Sequence, residues 1–210
     1  MPDNAKNKIK FGLQDCMYSL VTETQGQDGK WTSSYGAYKP LPGGVQLSLS
    51  PEGEENNFYA DNIVYAILNS NQGYSGTAEF AMLPDEAEKD LLNRQVDTNG
   101  VISENAENVT PPYFALSFRI EGDVRNRRYV LYRCALNRPD LNAQTKEQNI
   151  TPNTDSLSFK CTPRPDDGLV FSHTSESTPD AIVNAWNTQV YVPGAQSEEA
   201  DPDETDPDNP

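Results

Sequence analysis

The chain has few of the side chains that enzymes most often use for catalysis. His173 is its only histidine, so neither a histidine-based triad nor a metal site with several histidines can be assembled. The glycine pair at 43–44 precedes a strand-like segment and lacks the lysine of a phosphate-binding loop. Acids are plentiful, but those at 52–61 lie in a polar stretch, which favours a solvated surface over a catalytic carboxylate pair in apolar surroundings. We therefore expect no enzyme activity, no cofactor and no metal.

Cysteines and long apolar runs are also scarce. Cys16, Cys134 and Cys161 are odd in number and widely spaced, which predicts neither a disulfide framework nor a zinc site. We expect Cys134 and Cys161 to be buried thiols that pack as small apolar groups. The longest apolar run, residues 63–68, is too short to cross a bilayer, and the first residues lack the apolar core of a signal peptide. These features predict a protein made in a cytosol, with no membrane partner.

Basic residues are outnumbered, with 16 lysines and arginines against 32 acids and a net charge of −16. The last 14 residues hold seven acids, no base and several prolines. This composition predicts a single domain over residues 1–194, followed by an acidic, disordered tail over residues 195–210. So acidic a surface repels phosphates and anionic membranes.

Apolar and polar residues alternate along much of the chain, which predicts strands. The predicted strands cover 17–21, 45–49, 74–83, 114–120, 129–136 and 157–161, with shorter candidates at 169–171 and 190–192. The alternation places Val130, Tyr132, Cys134 and Leu136 on one face. Turns at 121–123 and 97–100 predict two hairpins.

Two short helices complete the predicted elements. One covers 84–92 and begins with a proline and acids; the other covers 178–187, with Thr178 as its N-cap and an apolar face formed by Ile182, Ala185 and Trp186. Many strands with few helices predict a mainly-β fold, either a β-sandwich or a partly closed barrel.

A long segment, residues 50–73, separates two of the predicted strands. It is too apolar for disorder and too long for a tight hairpin. Its large apolar residues are Phe58, Tyr59, Ile63, Val64, Tyr65, Ile67 and Leu68. We expect a long inter-strand loop that pairs in part as strand, packs in the core, or reaches a neighbouring subunit, where aromatic residues are common anchors.

Charge is unevenly distributed. Residues 40–88 hold eight acids and no base, whereas residues 113–140 hold six arginines against three acids. These could be two ordinary solvated faces, or complementary surfaces that join copies head to tail into rings or tubes. For the second case, the candidate intersubunit residues are Phe58, Tyr59, Tyr65, Arg125, Arg127 and Arg128.

Several sequence stretches carry a family resemblance. They are SLSPEGE at 48–54, FYADN at 58–62, NQGYSGTAEFAMLPDE at 71–86, RYVLYRC at 128–134 and SFKCTPRP at 158–165. In this order they resemble the major tail protein family of long-tailed phages, of the phi-thirteen type, over roughly residues 10–193.

The resemblance implies a structural virion protein. Six β-sandwich subunits would form a ring, and stacked rings would form the tail tube that carries DNA. The implied partners are other copies of the chain, the tape-measure protein inside the tube during assembly, and the tail-tip and tail-terminator proteins; assembly would take place in the host cytoplasm. DNA would pass through without being specifically bound.

By the same likeness, the strands at 45–49 and 74–83 would face the lumen. The acids expected to supply part of the lumen's field are Glu52, Glu54, Glu55, Asp61 and Glu79. Charge of the same sign as DNA would let the DNA slide without being trapped.

Two other classes of function remain open on the residues alone. A binding module could present Trp31, Tyr35 and Tyr38 as a platform for a sugar, or could mimic DNA with its acids. An enzyme could use a pair of carboxylates.

Overall fold

A computed structural model describes residues 8–106, 110–123, 126–143, 145 and 153–194. This part of the chain forms thirteen strands and two short helices. In chain order they are β1 (Lys8–Gln25), β2 (Trp31–Tyr35), β3 (Lys39–Pro40), β4 (Gly44–Glu52), β5 (Glu55–Ala60), β6 (Ile63–Asn69), β7 (Gly73–Phe80), α1 (Asp85–Leu92), β8 (Gln95–Val96), β9 (Ile102–Ser103), β10 (Phe114–Asp123), β11 (Arg128–Leu136), β12 (Asp155–Cys161), β13 (Phe171–His173) and α2 (Asp180–Ala185). The prediction of a mainly-β fold with two short helices is confirmed.

Nine of the strands form one antiparallel sheet. Its order is β2–β1–β10–β11–β12–β7–β4, with β3 also paired to β1 and β13 also paired to β11. The sheet curls until its distant strands β1 and β4 meet: a Cβ added to Gly44 would lie 3.2 Å from both Cys16 Sγ and Leu13 Cδ2. β1 and β4 touch through side chains but do not pair, so the sheet is not a closed barrel.

The main core fills the inside of this curl. In β12 the residues Leu157, Phe159 and Cys161 are buried and the residues between them are exposed, which confirms the alternation predicted there. Helix α1 packs into this core through Ala87 and Leu91. Each large apolar side chain buried in this way stabilises the fold by about 1.5–3 kcal/mol.

A second apolar cluster lies on the other face of β10 and β11. Trp186 at the end of α2 packs there, against Val130 and Tyr132, with Ile182 partly buried beside it. These two residues confirm the apolar face predicted for this helix, but Ala185 is exposed, and α2 starts at Asp180.

The segment 190–192 is not a strand, contrary to the prediction. Val190 is buried in the second cluster, and the ring of Tyr191 stacks on Trp186 with 5.2 Å between centroids. The backbone oxygen of Tyr191 accepts a hydrogen bond of 2.8 Å from the Tyr132 hydroxyl. Packing and this hydrogen bond hold the segment in place, although it does not pair with a strand.

A β-bulge changes the face of β11 halfway along its length. Phe114 of β10 lies opposite Cys134, but Leu116 lies opposite Leu131, so β11 advances three residues while β10 advances two. The extra residue reverses the alternation. Val130 and Tyr132 therefore join the second cluster and Cys134 joins the main core, and the prediction that they share one face was wrong.

Other predicted elements shift at their ends. β1 is longer than the predicted 17–21 and bends at three register shifts, near which Gly12 and Asp15 have positive φ. β4 bulges at Val45, which is exposed, and β7 ends at Phe80, which leaves Met82 exposed. β2 was not predicted, because residues 31–35 lack clear alternation. The hairpins β10–β11 and β8–β9 are confirmed, but β10 continues to Asp123, so the turn predicted at 121–123 is part of the strand.

Candidate functional site

The segment 50–73 forms a β-hairpin that extends the β4–β7 pair. The expectation of a long loop was wrong, and the alternative that part of the segment pairs as strand is confirmed. Beyond the pair Glu52–Gly73, the Gln72 amide donates to Glu52 O at 2.9 Å and the Ser70 amide donates to Glu54 O at 3.0 Å. β5 and β6 then continue the ribbon to its end. We call residues 53–72 the arm. At 3.3 Å per residue it reaches about 25 Å beyond the sheet.

A two-residue turn closes the tip of the arm. Ala60 lies opposite Ile63, and the two residues between them, Asp61 and Asn62, have φ of 52° and 63°. Positive φ at both central residues is the mark of a type I′ turn, which Asp and Asn tolerate well. The dipeptide Asp61-Asn62 was the signal for this hairpin that reasoning from the sequence missed.

Glycines allow the close approach of backbones at the base of the arm. A Cβ on Gly53 would lie 2.0 Å from the Ser70 carbonyl oxygen, and one on Gly73 would lie 1.9 Å from the Cys161 carbonyl oxygen. No side chain fits at such distances, so these two positions require glycine.

The arm exposes large apolar side chains on both of its faces. Register pairs Phe58 with Ala66 and Tyr59 with Val64, so residues 58 and 59 point to opposite faces. One face carries Phe58, Ile63, Leu68 and Tyr65, whose ring meets that of Phe58 edge-on at 6.4 Å; the other carries Tyr59, Val64 and Ile67. All seven are exposed, and Tyr65 keeps 70% of its surface accessible. A contiguous exposed apolar surface of this kind marks an interaction site.

The five acids expected to act in a lumen lie in two places. Glu54, Glu55 and Asp61 are exposed on the arm. Glu52 lies at its base, where it pairs with Lys160 Nζ at 3.2 Å. Glu79 lies on β7, between β12 and the edge strand β4.

The face of β4, β7 and β12 that points away from the core is lined by small hydroxyl side chains. Three rows cross these strands in register: Gln46, Glu79 and Ser156; Ser48, Thr77 and Ser158; Ser50, Ser75 and Lys160. We call this surface the hydroxyl face. Within these three strands, its single lysine is neutralised by Glu52, so the face is polar and nearly free of positive charge.

Several of the arginines are paired within the fold. Arg119 pairs with Asp15 at 2.8 Å, Arg133 pairs with Glu23 at 2.5 Å, and Arg138 pairs with Glu104. Arg128 is the first residue of β11 and Arg127 comes just before it; both are partly buried. Burial, together with Arg119 nearby, lowers the pKa of Arg128. Arg125 lies outside the described residues, as does the tail over 195–210.

The three aromatic residues considered for a sugar platform are not exposed together. Tyr35 and Tyr38 pack against the second cluster, and only Trp31 among the three is exposed. Burial raises the pKa of Tyr38 to about 12. His173 is exposed and packs beside the rings of Tyr129 and Phe171, each 5.6 Å away.

Within the described ranges, no three His, Cys, Asp or Glu side chains are grouped so as to hold a metal ion. The two helices there, of eight and six residues, are too short to cross a membrane. In comparisons with known proteins, no family model matches the chain and no curated protein matches it.

Proposed function

We propose that this chain is a structural subunit that assembles with copies of itself into the tail tube of a long-tailed phage. Six subunits form a ring, rings stack into a tube, and DNA passes through the bore. The observation that carries self-assembly is the arm, which is apolar on both faces and uncovered in the single chain. The further step to a phage tail rests on the sequence resemblance.

An arm of this composition needs cover on both sides. An isolated two-stranded ribbon is at best marginally stable in water, because only one pair of strands supports it. Each of its large apolar side chains would gain about 1.5–3 kcal/mol on full burial. A neighbouring copy offers that cover in a head-to-tail contact, and repetition of one such contact generates a ring or a tube.

The hydroxyl face suits the wall of a channel for DNA. DNA binds proteins mainly through contacts between phosphates and lysine or arginine side chains. Here the lysine of the face is held by Glu52, and Glu79 adds a negative charge. Phosphates would therefore meet hydroxyls and like charge, so DNA would slide. In this arrangement the tape-measure protein occupies the bore before DNA, and the tail-tip and tail-terminator proteins contact the two ends of the tube.

The proposal is tested by placing a charge on the arm. Tyr65→Asp puts a carboxylate into the proposed interface, whereas Leu141→Asp puts the same group at a position that is 96% exposed and outside the arm. Both side chains are exposed in the single chain, so we expect both variants to melt like the wild type. Sedimentation velocity at rising concentration should show large assemblies for the wild type and for Leu141→Asp, and single subunits for Tyr65→Asp. Equal assembly of all three proteins would refute a role for the arm.

A further inference from the structure

Two cysteines that are 27 positions apart in the sequence lie directly opposite each other in the sheet. Cys134 of β11 is the register partner of Cys161 of β12. Partners across an antiparallel pair point to the same face, and both side chains are fully buried in the main core. Each side chain is therefore the other's cross-strand neighbour.

The hydrogen bonds around this pair fix its type. The Thr162 amide donates to Arg133 O at 2.9 Å, and the Asn137 amide donates to Ser158 O at 2.8 Å. Positions 133 and 162 therefore form a hydrogen-bonded pair, and so do 137 and 158. In an antiparallel ladder the two types alternate, which makes Cys134 and Cys161 a non-hydrogen-bonded pair.

That pair type has the spacing that a disulfide needs. Cα atoms of non-hydrogen-bonded pairs are about 4.5 Å apart, and disulfides join Cα atoms that are about 4.4–6.8 Å apart. We propose that Cys134 and Cys161 are a site of oxidation and form a cross-strand disulfide that joins β11 to β12. Cys16 lies on β1, on the far side of β10 from Cys134, and is not part of the site.

The two thiols differ in a way that sets the order of reaction. Hydrogen bonding from Cys134, assisted by backbone groups, lowers the pKa of Cys161, whereas burial raises the pKa of Cys134. Cys161 is also the last residue of β12, and the ends of strands open more readily than their centres. The Cys161 thiolate attacks a small disulfide such as oxidised glutathione, releases one glutathione thiolate and forms a mixed disulfide. Cys134 then gives its proton to the released glutathione thiolate and attacks the Cys161 sulfur, which releases the second glutathione as a thiolate and leaves the protein disulfide.

This inference does not depend on the proposed function. A cytosol would keep the pair reduced. For a subunit that leaves the cytosol in a virion, the bond would form after release, and it would then fasten the strand next to β7, from which the arm extends.

The test is a thiol count on the refolded protein. Wild-type chain is refolded from denaturant in a mixture of oxidised and reduced glutathione, then quenched and denatured, and its free thiols are titrated. We expect the count to fall from three to one, with one linked pair of peptides that contain Cys134 and Cys161 found by mass spectrometry. The oxidised protein should melt roughly 10 °C above the reduced protein.

Single-site variants serve as controls. Cys16→Ser should still form the bond and fall from two thiols to none. Cys134→Ser should keep both of its remaining thiols and show no rise in melting temperature on oxidation. Three free thiols in the refolded wild type, or a linked peptide that contains Cys16, would overturn the proposal; neither result bears on whether the chain assembles into tubes.

Discussion

At the scale of single residues, a buried arginine holds the loop after β12 against β2. Arg164 is 6% exposed, donates through Nε to Asp166 Oδ1 at 2.9 Å, and lies over the rings of Tyr35 and Tyr132 at 5.5 Å. Asp166 also accepts a bond of 3.2 Å from the Ser33 amide. A buried charge without its partner is strongly destabilising, so the buried guanidinium of Arg164 depends on Asp166.

Asp166→Asn should therefore lower the free energy of unfolding by about 2–4 kcal/mol at neutral pH, measured by urea titration. The bond from Arg164 holds the pKa of Asp166 well below its usual range. Its contribution to stability is present above the unfolded-state pKa of about 4 and is lost as the pH falls through the lower folded-state value. The difference between wild type and variant should thus shrink in acid.

Asp167→Asn provides the matched control. Asp167 lies 3.3 Å from Arg164 Nε but is more exposed, so its loss should cost much less. An equal loss for both variants would contradict the special role of Asp166.

A second residue-scale prediction concerns the hydroxyl face. Glu52→Gln removes the partner of Lys160 and leaves an unpaired cation on this surface. DNA binding, measured by fluorescence anisotropy at low salt, should strengthen roughly two- to five-fold and weaken again as salt rises. The double variant Glu52→Gln/Lys160→Gln should return to wild-type binding. Stronger binding that survives in the double variant would show that Lys160 is not responsible.

At the scale of elements, the base of the arm is its most sensitive point. Gly53→Ala would force a Cβ to within 2.0 Å of the Ser70 carbonyl oxygen, so the two strands must separate there. We expect the arm to become a target for limited proteolysis within residues 53–72, while the core, which the arm does not enter, melts nearly as before.

Gly36→Ala is the control for this change, because the nearest atom to its Cβ would be 3.8 Å away. Its proteolysis pattern should match that of the wild type. If the Gly53→Ala chain resisted the protease as well as the wild type does, the close approach of the strands at Gly53 would not be needed to hold the arm together.

Sequence patterns predicted the elements whose periodicity is uninterrupted. Leu157, Phe159 and Cys161 alternate through all of β12, and the helix α1 lies where its proline and acids predicted it. Where a bulge adds a residue, as in β11, the alternation reverses and the prediction fails for the residues on one side. The arm was predicted only as a long loop with some strand pairing, because both its faces are apolar and leave no alternation to detect.

The candidate sites could likewise be predicted only where a single stretch of sequence carries the signal. Phe58, Tyr59 and Tyr65 were predicted from the sequence to contact a neighbouring subunit; the structure shows them exposed on the arm, and the contact itself stays a prediction. The hydroxyl face and the Cys134–Cys161 pair depend on the register between strands, and a single strand's sequence does not specify register.

At the scale of the whole molecule, charge is separated between the arm and the start of β11. The arm has acids and no base, whereas Arg127 and Arg128 are neighbours at the start of β11. If copies join head to tail, opposite charges should guide the approach while apolar contacts supply most of the affinity. We therefore expect Arg127→Glu/Arg128→Glu to weaken assembly at low salt, measured as a higher critical concentration in sedimentation.

Arg138→Glu is the matched control, because it reverses the charge of an exposed arginine, paired with Glu104, just past the far end of β11. It should assemble like the wild type. If both variants assembled equally well, the two charged regions would not meet in the tube.

The most direct test of the central claim is negative-stain electron microscopy of the concentrated wild-type protein at low and at high salt. Self-assembly through the arm predicts rings and hollow tubes built from them, and the family resemblance implies six subunits in each ring. Only single particles, at both salt concentrations and at the highest concentration reached, would contradict it.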